Sequence, residues 1–166
     1  MFHLALLVVL AGAVIHVLRL SNRTSSAAGE AVLRWVLVGY CGIPMVLFMG
    51  YALVHPAEAS QAVGMPAGSP YQTFAVWALI GMGIAATLAL RIRGAYLVGP
   101  AIAWSVFFLG ATAIHMQQLR SEGGLTHGMA LLIFATHGLI SVVLLGALWA
   151  SGLLRGGGAD AAARRP

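Results

Sequence analysis

The chain has 166 residues, of which 60% are hydrophobic and only 8% are charged, and its formal net charge is +5. A soluble domain carries about a quarter charged residues, so a water-soluble globular protein is excluded, in keeping with a mean hydropathy of +0.93. Nucleic-acid binding is excluded too: all nine basic residues are arginines that flank apolar runs, with no basic face interleaved with aromatics.

Residues 1–18, 35–57, 59–90, 94–119 and 123–154 contain no Asp, Glu, Lys or Arg. About 20 apolar residues cross roughly 30 Å of hydrocarbon, so each run can supply one spanning helix. The expected fold is all-α: an integral membrane bundle of five transmembrane helices at about 2–20, 29–54, 70–91, 94–119 and 126–153. Residues 1–154 form one domain, and 155–166 form a disordered cytoplasmic tail.

The first helix is not a cleaved signal peptide, because its positive charges, Arg19 and Arg23, follow the apolar stretch instead of preceding it. In the second helix Pro44 predicts a kink. Gly39, Cys41 and Gly42 there, and Gly81, Gly83, Ala85 and Ala86 in the third helix, allow close helix packing. A lone Cys41 makes no disulfide within the chain.

The loop at 55–70 is the longest. Pro56 at a first helical position with Glu58 behind it predicts a helix of about two turns at the membrane surface, stopped by Gly64 and Pro66. Ser69-Pro70-Tyr71-Gln72 then has a Ser cap, a Pro start and Gln three residues after the cap. Gly123-Gly124 makes a turn, and Thr126 caps the fifth helix. Trp35 and Trp149 read as anchors at one interface, and Tyr51 and Tyr71 at the other. Trp77 and Trp104 read as packing residues.

Cytoplasmic loops are enriched in basic residues. Arg19, Arg23, Arg34, Arg91, Arg93, Arg155, Arg164 and Arg165 fall on one side and only Arg120 on the other. The expected orientation is N-terminus outside, C-terminus inside, in a bacterial plasma membrane.

Six histidines are the chemical groups present in quantity. His3, His55, His115 and His127 fall at outer helix ends, His16 at an inner end, and His137 near mid-membrane. An ionisable group inside a membrane is a functional candidate. His137 with Thr136 and Ser141, and His115 with Thr112 and Ser105, form two polar stripes expected to face the bundle interior. Two readings of His137 stay open: a neutral, hydrogen-bonded packing residue, or a proton-relay or ligand group. The outer histidines also allow haem or copper, with His55 and His115 as the cofactor pair and His3, His127 and Met116 as further metal ligands; Met65 and Met129 lie on the same side. Along ideal helices His115 and His137 differ by about 10 Å in depth, which favours His55 as the partner of His115.

No nucleophile, base and orienting acid come together, and no inverted repeat marks a transporter. The chain reads as non-enzymatic: an accessory subunit or a binder of a small ligand at the outer leaflet. A small transporter or channel with His137 on the path is the other possibility. Its surroundings would be the lipid bilayer and other membrane subunits or further copies of itself.

Residues 50–150 resemble a family of small multi-pass bacterial membrane proteins known as a domain of unknown function. Pro56, Gly64, Pro66 and Ser69-Pro70-Tyr71-Gln72 carry the resemblance, with His115 and Gln118 at the end of a later helix. It implies multi-pass topology and bacterial origin, and no reaction.

Overall fold

The computed structural model describes residues 2–63, 70–122 and 134–155, and the side chains among these except at 2–3, 62–63, 118–122 and 135. The described residues are helical, without strands. Helix α1 is Phe2–Arg19 and α2 is Ser25–Val54. The short α3 is Pro56–Val63, and α4 is Pro70–Leu90, its last turn a 3-10 turn. Helix α5, Val98–Glu122, follows a 3-10 turn at Gly94–Leu97. Helix α6, Leu139–Ser151, follows a π-helical turn at Phe134–Gly138. The expected stop at Gly64 and Pro66, the Ser69 cap, the Gly123-Gly124 turn, the Thr126 start and the tail beyond Arg155 lie outside the described residues.

Three helices are long and apolar enough to cross a membrane: Ser25–Val54, Pro70–Leu90 and Gly94–Gln117. Two shorter apolar helices, Leu4–Arg19 and Thr136–Ser151, complete the bundle among the described residues. Their outward faces carry Leu7, Val8, Leu47, Phe74, Val106 and Val142, all exposed. Such a continuous apolar exterior suits hydrocarbon and not water.

Helix α2 begins at Ser25, four residues before the expected start. The Thr24 hydroxyl accepts from the Ala27 amide at 3.2 Å, an N-cap hidden in a polar Ser-rich stretch. α2 is central, packed on α1, α4 and α6, and its Leu33, Val36, Leu37 and Cys41 are wholly buried. Glycine permits this crowding. A Cβ at Gly29 would stand 2.5 Å from the Ser151 amide nitrogen and 2.7 Å from the Ala147 carbonyl oxygen of α6. One at Gly39 would meet Val9 of α1 at 2.7 Å, and one at Gly42 the Thr87 hydroxyl of α4 at 2.6 Å. Gly83 answers from α4, where a Cβ would press Val46 at 2.8 Å, whereas Gly81 faces open space.

Pro44 leaves its mark just upstream. Residues Leu37–Gly42 wind as a π-helix, and the Ile43 amide donates to Val38 five residues back. Proline supplies no amide hydrogen and its ring crowds the carbonyl four residues before it; a widened turn relieves that crowding while keeping neighbouring amides bonded.

The ends of α1, α4 and α6 gather with the start of α2 at one end of the bundle. Arg34 donates from Nε to Ala89 O at 3.0 Å and from Nη2 to Leu90 O at 3.1 Å. It thereby caps the carbonyls that α4 leaves unpaired at its C-terminus. Ser26 donates to Ser151 O at 2.8 Å, and Arg155 lies over the exposed Trp149 ring at 5.3 Å. Gly152, with φ of 73°, adopts the left-handed conformation that ends α6. One packing expectation fails: Trp104 is fully buried, but Trp77 is 60% exposed, because α4 packs chiefly on α2 and α5 and turns Trp77 outward with Phe74.

Gly29→Val should lower the stability of the detergent-purified protein by about 1–3 kcal/mol, the range for overpacking. Gly81→Ala should not lower it. Thermal unfolding followed by circular dichroism distinguishes the two.

Candidate functional site

The polar residues of α5 and α6 meet in the bundle interior. Ser105 and Ser141 are both 1% exposed. Ser141 donates to Ser105 O at 3.3 Å and to His137 O at 3.0 Å, while Ser105 turns back to Ala101 O at 2.7 Å. Thr112 donates to Phe108 O at 2.8 Å. Hydroxyls that return to their own helix carry no unsatisfied donor into an apolar interior.

Above the serines the site becomes aromatic. The half-buried His137 lies in the π-helical turn before α6. Its ring stacks on Phe108 at 5.3 Å and 25°, and on His115 at 5.8 Å with only 7° between planes. Phe108 also touches Trp104, at 5.3 Å, and Tyr40, at 6.0 Å. Tyr40 belongs to the π-helical turn of α2. A train of rings therefore links the two π turns, through Tyr40, Phe108, His137 and His115.

The expectation that depth separates His115 from His137 is overturned. The helices are antiparallel, as the Ser105–Ser141 and Phe108–His137 contacts require. Each Cα–Cβ bond tilts toward its own helix N-terminus. His115 therefore leans back along α5 while His137 leans the opposite way, and the rings meet although their backbones sit at different heights.

His55 has other company. It stacks on Tyr51 at 4.5 Å and 22°, and its Nδ1 lies 3.6 Å from Glu58 Oε1. The Tyr51 hydroxyl donates to the other oxygen of Glu58. Gln72, from the motif that opens α4, donates to Pro56 O at 3.0 Å and to the Ser60 hydroxyl at 2.5 Å. These bonds hold α3 across the ends of α2 and α4. Tyr51, His55 and Glu58 are exposed, so the cluster fastens a surface helix.

Among the described residues no group of three or more His, Cys, Asp or Glu could hold a metal ion. Met116 is half-buried beside His115; the side chain of His3, and His127, Met65 and Met129, lie outside the described residues. His16, not assigned a role from sequence, accepts from Trp35 Nε1 at 2.9 Å. Its spacing from Trp35 across a loop gave no periodic signal.

The fold and site define an all-helical bundle with membrane-length apolar helices and a paired-imidazole interior. The chain belongs to DUF6790, a family of unknown function whose model matches residues 1–156. The match includes α1 and nearly all of α2, which precede the 50–150 stretch that carries the resemblance. No curated protein and no solved structure matches the chain.

With Cys41→Ser as background, the pair His115→Cys and His137→Cys should be bridged within one chain by a short bis-maleimide, and the pair His55→Cys and His115→Cys should not. Proteolysis and mass analysis read the bridge; equal bridging of both pairs would refute the ring stacking.

Proposed function

We propose that this is a five-span protein of the bacterial plasma membrane, N-terminus outside and C-terminus in the cytoplasm, which binds a small ligand without chemical conversion. Its site is the His115–His137 pair in the outward-opening half of the bundle. The observation that carries this reading is the near-parallel contact of two imidazoles at 5.8 Å inside an apolar helical bundle. Imidazole is costly to place in hydrocarbon and is retained there where it recognises something. Neutral imidazole offers one donor and one acceptor, so two of them can orient a small polar molecule between α5 and α6. Partners within the membrane, another subunit or a second copy, would act through the same apolar exterior.

The line of Ser105, Ser141, His137 and His115 supports a second reading, a proton or ion path with His137 on it. Hydroxyl and imidazole groups in succession are what a relay uses.

Native mass spectrometry of the full chain in nanodiscs tests the first reading. The wild type should carry a stoichiometric adduct that His137→Phe and His115→Leu both lose; a bare wild type, or an adduct kept by both variants, sinks it. Elemental analysis showing copper, or a visible haem band, would move the site to those cofactors. Proton flux into proteoliposomes that His137→Phe abolishes would favour the path.

Orientation is tested separately. In spheroplasts of the Cys41→Ser background, Ala57→Cys should react with a membrane-impermeant maleimide and Asn22→Cys should not. The reverse pattern would invert the topology.

A further inference from the structure

A cleft of about 390 Å³ opens between α1 and α2 at the arginine end, lined by Gly12, Ile15, His16, Arg19 and Trp35. Its character changes along α1. Gly12 and Ile15 form an apolar floor, and His16 and Arg19 follow one turn later at the mouth. Gly12 shapes it: a Cβ there would lie 2.6 Å from Trp35 Cζ3 and 2.8 Å from Cη2. The indole therefore rests directly on the α1 backbone.

The hydrogen bond between these residues fixes the chemistry of the mouth. Trp35 Nε1 can only donate, and it donates to His16 Nδ1 at 2.9 Å. Neutral His16 then carries its proton on Nε2, which leaves that N–H as a donor. Arg19 is exposed beside it. Arg23 stands at the same corner, its Nη2 held on Leu18 O at 2.5 Å. Among the described residues the acid of this end is Glu30, more than one turn along α2 from Trp35. The mouth thus offers the Arg19 cation and one fixed donor above an apolar slot.

We propose that this cleft binds one anionic phospholipid. Arg19 and the His16 Nε2–H hold its phosphate, and one acyl chain runs along Gly12 and Ile15. Charge complementarity selects the anion, as in basic pockets between membrane helices that hold acidic headgroups. The slot selects a lipid over a free anion. Gly12 and Arg19 are about 10 Å apart along the helix, enough for a phosphate and the first carbons of a chain. The exposed Val8, one turn before Gly12, continues the same face. The site is independent of any ligand at His115 and His137.

The test is native mass spectrometry of the full chain in detergent with added dioleoylphosphatidylglycerol, dioleoylphosphatidylcholine or inorganic phosphate. Phosphatidylglycerol should be retained over phosphatidylcholine. Arg19→Gln should weaken that retention about fivefold, the contribution of one arginine near an anionic headgroup. Arg93→Gln, at the same end but outside the cleft, should leave it unchanged. Gly12→Leu should abolish it by filling the slot. Equal losses in Arg19→Gln and Arg93→Gln would reduce the effect to bulk charge and overturn the site. Equal retention of the two lipids would overturn it as well. Arg19-dependent binding of inorganic phosphate as tight as that of the lipid would replace it with a simple anion site.

Discussion

The close approach of neighbouring helices to Gly29, Gly39 and Gly42 puts α2 in the middle of the bundle. At each of these positions a methyl group would enter a neighbouring helix: α6 at Gly29, α1 at Gly39 and α4 at Gly42. Where the exterior is as apolar as the interior, burial gives little preference for one helix pairing over another, and close van der Waals contact decides. The placement of α5 and its histidine follows indirectly. α5 reaches the centre through Trp104 and Phe108, which fill the space beside Tyr40 and leave His137 a ring to stack on.

Both π-helical turns carry a ring of the aromatic train. The turn at Leu37–Gly42 accommodates Pro44 and delivers Tyr40 to the aromatic train. The turn at Phe134–Gly138 delivers His137. A π turn rotates the residues after it relative to an ideal helix, so the ring positions here are a product of irregular winding. The hydroxyls of Ser105 and Thr112 return to their own helix meanwhile, and Ser141 reaches across to the Ser105 carbonyl below the paired imidazoles.

Much of this was legible in residue order alone. Charge-free runs placed the long helices, and proline placed the starts of α3 and α4, at Pro56 and Pro70. The small residues Gly39, Gly42 and Gly83 occur at contacts, while Gly81 does not; composition cannot tell them apart because the distinction depends on which face meets a neighbour. The Thr24 cap was obscured because serines on both sides look like loop. Depth counted along ideal helices separated His115 from His137, because such counting follows Cα atoms and ignores the direction of the side chains. The Trp35–His16 bond joins residues on different helices, and no periodicity in either helix points to it.

The bond from Arg34 to the end of α4 also sets a dimension. From Trp35 to Val54, α2 has 20 residues, about 30 Å at 1.5 Å per residue, which equals the hydrocarbon thickness of a typical bilayer. On the five-span reading, Arg34 and Leu90 mark one boundary of that slab and His55 the other. The turns from Ser25 to Leu33, sealed against α6 at Gly29 and Ser151, then stand beyond the hydrocarbon as a stub on the arginine side. A bilayer thicker than this would pull Arg34 off the carbonyls of α4 or force the bundle to draw the lipid thin around it. On that reading the Arg34 bonds tie the ends of two helices to a single depth, and it is the lipid around them that has to yield.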